Sequence, residues 1–159
     1  MADLLRYCAD LPIVQVPAGE CVVQQGRDAE AMYILIDGAV QMERDGIAFA
    51  TVTYPGAVFG DMSTVLQRVA TASARAMVPS RMHVARDALA MLEQRPEVTL
   101  AVLRLTAGRL NAMTQYLADV RAQYADSAGH LGLVGGVLET LLHYQAPDKR
   151  PGSLRDPLG

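Results

Sequence analysis

Between Val14 and about Arg86 the chain is cut into short apolar runs by closely spaced turn residues, and this punctuation constrains the fold more than any other feature. The runs are Val14-Val16, Cys21-Gln25, Met32-Ile36, Val40-Glu43, Ala48-Tyr54, Val58-Phe59, Thr71-Ala76 and Met82-Val84. They are too short for stable helices and rich in residues that suit a pleated, half-buried surface. The breaks are Pro17-Ala-Gly19, Gln25-Gly26, Asp37-Gly38, Asp45-Gly46 and Pro55-Gly56. Asp45-Gly46, between Met42-Glu43 and Ile47-Ala48, has the composition of a tight hairpin turn. Seven or eight short strands so divided predict a closed or sandwiched β-roll.

Helical patterns flank this region. Residues 2–10 carry a weak helical period that Leu11-Pro12 should stop. After Arg86, Asp87 is placed as an N-cap for Ala88–Leu92, and Arg95-Pro96 breaks the run. Pro96 then suits the first position of a long helix reaching about Ala125. In that helix Leu103, Leu110, Leu117 and Tyr124 recur at heptad spacing, with Thr106, Met113 and Val120 between them. Such a stripe can pair with a second copy or pack back onto the β-roll, and the sequence leaves both open. A further apolar stretch over 127–145, containing Leu131, Val134, Leu138 and Leu142, predicts a weaker helix interrupted by Gly135-Gly136. The Pro-rich segment 146–159 reads as a flexible tail.

Composition excludes several functions. With 159 residues the chain fits one domain with helical appendages and leaves little room for a catalytic one. A net charge of −3 and a single lysine, Lys149, argue against binding the nucleic-acid backbone, which needs clustered cations. Cys8 and Cys21 lack the spacing of a metal or cluster site and read as small buried hydrophobes. The three histidines are His83, His130 and His143, and only His83 falls in the β region, as an exposed or satisfied strand residue. No metal site, cofactor or catalytic residue is therefore expected. Without a signal sequence or an apolar span of about 20 residues, the expectation is a cytoplasmic protein.

The segment Val58-Phe-Gly-Asp-Met-Ser-Thr-Val-Leu-Gln-Arg-Val-Ala-Thr-Ala72 carries the chemistry. Gly60 permits a sharp backbone turn, and Asp61–Leu66 can form one short helix whose first N–H groups favour an anion. Arg68 follows with a planar fork of donors suited to two phosphate oxygens. Asp61 can accept from a sugar hydroxyl. Taken alone, an arginine beside such a turn is more often a surface salt-bridge residue.

These residues, together with Pro17–Gly26 and Ala31-Met-Tyr-Ile-Leu-Ile-Asp-Gly38, resemble the cyclic-nucleotide-binding family over about residues 12–125. That family includes the catabolite-activator type of bacterial regulator and the regulatory subunits of protein kinase A. The resemblance implies a mainly β fold with flanking helices, a double-stranded β-helix (jelly-roll) followed by a long C-terminal helix. Together with the helical and Pro-rich readings above, the expected division is a domain over 1–126, a short accessory helix over 127–145 and a tail over 146–159. Gly60–Thr71 resembles the phosphate-binding cassette, so Arg68 is expected to bind the cyclic phosphate. Backbone N–H groups around Met62-Ser63 and Val69-Ala70 would assist, Thr71 would lie alongside, and Asp61 would take the ribose 2′-hydroxyl. Tyr116 and Leu117 match positions that contact the base, although Tyr116 reads somewhat better as a residue packed against the roll, since tyrosine on a helix face is more often structural.

Three positions depart from the family pattern. Asp61 stands where Glu is usual, the stretch from Asp61 to Arg68 is about two residues short, and Gln67 replaces the usual Pro. Val69, where members selective for cyclic GMP often carry a hydroxyl, tilts the implied ligand toward cyclic AMP, with the Thr71 hydroxyl two positions later keeping cyclic GMP open. After Tyr124 the remaining residues are too few for a helix-turn-helix, so no direct DNA binding is expected. The resulting expectation is a non-enzymatic cyclic AMP sensor, a homodimer through the 97–125 helix, that signals to an unidentified protein partner. The alternative is a ligand-free roll serving dimerisation or protein interaction.

Overall fold

The computed structural model describes residues 2–123. The helix expected over 127–145, the tail over 146–159, Tyr124, His130 and His143 lie outside the described residues. In chain order the elements are α1 (Ala2–Tyr7), β1 (Ile13–Val16), β2 (Cys21–Val23), β3 (Met32–Asp37), β4 (Val40–Arg44), β5 (Ile47–Val52) and β6 (Val58–Phe59). They continue as α2 (Asp61–Leu66), β7 (Ser73–Ala76), β8 (Ser80–Ala85), α3 (Ala88–Gln94) and α4 (Pro96–Gln123).

The strands form two antiparallel four-stranded sheets, ordered β1-β8-β3-β6 and β2-β7-β4-β5. In the second, β7 alternates in the way a half-solvated sheet must, while β5 at the edge is exposed along most of its length. Val40, Ala74 and Ala76 point inward and are buried, while Arg75 and Glu43 are only half-buried and their side chains lie 3.8 Å apart. The first sheet is covered on both faces, which is why β3 reads as an unbroken apolar run. Leu35 and Tyr33 join Val16, Val23, Phe59, Ala70 and Met82 between the sheets. Met32 and Ile34, on the opposite face, pack with Leu4, Cys8, Met91, Leu92, Val98 and Val102 from the helices.

Two turns show why glycine recurs. Asp45 and Gly46 both adopt positive φ, 53° and 77°, as a two-residue turn matched to strand twist requires. Gly38 has φ 117°, and a Cβ there would sit 2.1 Å from the Ser80 hydroxyl, so that β3 and β8 close only over a bare backbone.

Element boundaries moved for identifiable reasons. β2 ends at Val23 rather than Gln25 because the next residues bond to other partners: the Gln25 N–H to Ser73 Oγ (3.0 Å) and the Gly26 N–H to the Ala70 carbonyl (2.8 Å). β7 begins at Ser73 rather than Thr71 because Ala70 is engaged with that same loop. β8 begins two residues earlier than expected, since Ser80 pairs with Val16. His83 is a buried, satisfied strand residue whose Nδ1 lies 3.1 Å from the Leu11 carbonyl. Asp87 caps α3 through the Ala90 N–H.

The chain divides into two compact units between Ala107 and Gly108, within α4. In the first, α4 turns Val98 and Val102, with Ala101 and Leu105, into the helical core. Leu103 is 60 % exposed, so the heptad position and the core-facing stripe lie on different faces of this part of the helix. In the second unit Leu110, Met113 and Tyr116 are exposed.

Arg95, between α3 and α4, holds the N-terminal segment: its guanidinium donates to both Asp10 carboxylate oxygens (2.8 and 2.5 Å) and to the Tyr7 carbonyl (3.3 Å). That hydrogen bonding lowers the Asp10 pKa from its ordinary value. A carboxyl held lower in the folded state stabilises fully above its unfolded pKa, and the contribution disappears as pH falls through the folded value. Acid titration of thermal stability should therefore show wild type losing more than Arg95→Leu across the acidic carboxylate range. Parallel loss in the two proteins would contradict this account.

Candidate functional site

Both ends of the 60–71 segment are tied to the roll. At its start, β6 pairs with β3 (Tyr33 opposite Phe59, Ile34 opposite Val58), and Phe59 is buried between the sheets. Full burial of such a ring is worth about 1.5–3 kcal/mol, enough to fix where the segment begins. At its end, Ala70 enters the same core and exchanges two backbone bonds with the β2–β3 loop. Its N–H donates to the Arg27 carbonyl and its carbonyl accepts from Gly26, each at 2.8 Å.

Gly60 turns the chain from β6 into α2 at φ 83°. A Cβ at this position would lie 2.7 Å from the Ala31 carbonyl oxygen, so a side chain is excluded by contact as well as by conformation. Asp61, the first residue of α2, is only 6 % exposed. Among the backbone donors, the Thr64 N–H bonds to the Gly60 carbonyl (3.0 Å).

The helix ends at Gln67, one of two non-glycine residues with positive φ among the described residues (49°). A left-handed conformation there costs roughly 1–2 kcal/mol. Three hydrogen bonds close the turn over it. The Gln67 N–H and the Arg68 N–H (3.2 Å) both donate to the Ser63 carbonyl, and the Ser63 hydroxyl donates to the Arg68 carbonyl at 2.6 Å. At about 0.5–1.5 kcal/mol each, these bonds outweigh the strain. The reversal brings Arg68 immediately after the helix, and its exposed guanidinium has no hydrogen-bond or carboxylate partner among the described residues.

The structure thus brings together Gly60, Asp61, Met62, Ser63, Arg68, Val69, Ala70 and Thr71 in one anchored loop. Met62 and Val69 are about half exposed and Thr71 is exposed. The Ala70 N–H, expected to face the ligand, is engaged by Arg27 instead. Tyr116 (69 % exposed) and the half-buried Leu117 lie in the second compact unit. Sequence reasoning missed the Ser63 hydroxyl bond and the Gly26–Arg27 clamp, since only Gly26 signalled a turn there. A cleft of about 430 Å³ bordered by Val14, Val23, Arg27, Tyr33, Val84 and Arg86 includes none of residues 60–71. Among the described residues no cluster of three or more His, Cys, Asp or Glu is placed to hold a metal, and no helix is long and apolar enough to cross a membrane.

Comparison with known proteins places this architecture. The family described as "Cyclic nucleotide-binding domain" matches residues 13–94, from β1 through α3. A CRP-like cAMP-activated global transcriptional regulator of Mycobacterium tuberculosis is 33 % identical over 113 residues, covering 67 % of this chain and 50 % of the relative. The chain therefore spans about half the length of the curated relatives it matches. Among solved structures, the Thermus thermophilus catabolite activator protein aligns at a TM-score of 0.62 and 20 % identity, over 90 % of this chain and 82 % of that one. The N-terminal domain of a transcriptional regulator from Streptomyces coelicolor A3(2) aligns at a TM-score of 0.51 and 25 % identity, over 70 % and 81 %. With two jelly-roll sheets, a helix-bearing loop ending in Arg68 and this match, the chain belongs to the cyclic nucleotide-binding domain family.

Gly60→Ala tests the loop geometry directly. Positive φ and the approach to Ala31 predict a loss of at least about 2 kcal/mol in chemical denaturation. A variant as stable as wild type would show that the backbone at residue 60 is not under this constraint.

Proposed function

We propose that this domain is a cyclic nucleotide sensor without enzymatic activity, with cyclic AMP as its ligand. The observation that carries this reading is Arg68: an exposed guanidinium without a hydrogen-bond or carboxylate partner among the described residues, at the end of a loop anchored on both sides, in a chain of the cyclic nucleotide-binding domain family. A singly charged cyclic phosphodiester offers two oxygens to that planar fork. Buried Asp61 supplies an acceptor for a ribose hydroxyl, and Val69 presents no hydroxyl to a guanine. The Mycobacterium tuberculosis relative is named as cAMP-activated, which supports the choice of nucleotide. Ligand binding is read out through α4, whose Leu110 and Met113, exposed in the second unit, offer a seam to a second copy. A ligand-free interaction domain is the competing reading, favoured by the cleft near β2 and β3 having no cassette residue in its lining.

Titration of the full chain, purified free of nucleotide, with cyclic AMP should release or absorb heat and raise the melting temperature by mass action. Cyclic GMP should bind more weakly. Arg68→Ala should weaken cyclic AMP at least about tenfold, the loss expected when charge-assisted hydrogen bonds are removed. Neither heat nor thermal shift with either nucleotide at high excess would decide for the ligand-free reading.

A further inference from the structure

We propose that the Ser63 side chain is the positioning residue that aims Arg68, a role distinct from any contact with the ligand; this rests on the reading of Arg68 as the phosphate-binding residue. Ser63 grips the Arg68 main chain at both ends. Its carbonyl receives the Arg68 N–H at 3.2 Å, and its hydroxyl donates to the Arg68 carbonyl at 2.6 Å. One residue of α2 thereby brackets both peptide groups of Arg68.

The residue before the arginine does not supply this order by itself. Gln67 sits at φ 49°, a conformation that a glutamine leaves readily when the turn is not closed over it. A bond within the helix also forms at Gln67, whose N–H reaches the Ser63 carbonyl, but only the hydroxyl bond reaches past the arginine to its C-terminal side. That bond controls the direction in which the chain leaves Arg68 for the anchored Ala70. A guanidinium on a long side chain must be directed from its backbone to meet two oxygens at once, and ordering the loop in advance removes part of the entropy lost on binding.

Ser63 is partly exposed, so its removal leaves no buried polar group unpaired, and Ser63→Ala should still fold, giving up only the one hydrogen bond that helps to close the turn. The role therefore separates from simple structural support. Binding of cyclic AMP to Ser63→Ala should weaken roughly 3- to 10-fold, the effect of one hydrogen bond lost to a positioned group. Ser63→Thr, which keeps the hydroxyl, should restore it. In an Arg68→Lys background, where the fork is already gone, Ser63→Ala should cost less than about twofold, since residues acting as one unit are not additive. Without ligand, amide hydrogen exchange at Arg68 should accelerate in Ser63→Ala and return to normal in Ser63→Thr.

Unchanged cyclic AMP affinity in Ser63→Ala, or an equal loss in the Arg68→Lys background, would overturn the positioning role. If wild type itself binds no cyclic nucleotide, the functional reading of Arg68 fails, and exchange at the Arg68 amide then decides for or against the Ser63 bracket alone.

Discussion

The cassette depends on its two ends being held in one hydrophobic core. Phe59 and Ala70 are both buried between the sheets, although most of the intervening residues, Asp61 excepted, form a partly or fully exposed helix and turn. Apolar burial is non-directional, and it would leave the loop free to tilt without the backbone pairing of β6 with β3 and of Ala70 with Gly26 and Arg27. Those directional bonds convert two buried side chains into a fixed frame. Within that frame only local turn chemistry is left to orient Arg68, and Gly60 and Ser63 provide it.

The same division between scaffold and site organises the helices. One face of β3 builds the inter-sheet core and the other receives α1, α3 and the first turns of α4, so the sheet that carries β6 also carries the helices. The start of the 60–71 loop, through β6, and the helices, through β3, thus rest on the same sheet. The exposed stripe at Leu103 leaves α4 free to serve an interface without disturbing Val98 and Val102.

Much of the architecture was legible because it follows from local steric rules. Asp45-Gly46 reads as a hairpin because few dipeptides tolerate two consecutive positive φ angles, and the strands on either side pair accordingly. Asp87 and Pro96 marked their helix starts by capping and by the missing N–H of proline. The ends of β2 and β7 were less legible, because Gln24 and Thr71 suit a strand as well as a loop; partners distant in sequence, Ser73 and Ala70, decided where pairing stops. In the loop, Gly60 was recognisable as the turn residue it is, while Arg68 was singled out by its chemistry together with the family resemblance. The Ser63 hydroxyl bond was not, since a serine in a short helix carries no mark of which carbonyl it will meet.

The amino-acid order by itself determined the roll with its flanking helices, because strand alternation, turn sterics and helix caps act between neighbours along the chain. Only the tertiary structure decided that the Ala70 N–H is spent on Arg27, that His83 is satisfied by Leu11, and that the heptad face and core face of α4 separate at Leu103. Those outcomes depend on which of several chemically equivalent donors, acceptors and apolar faces is brought within contact distance. That choice belongs to the packing of segments far apart in sequence.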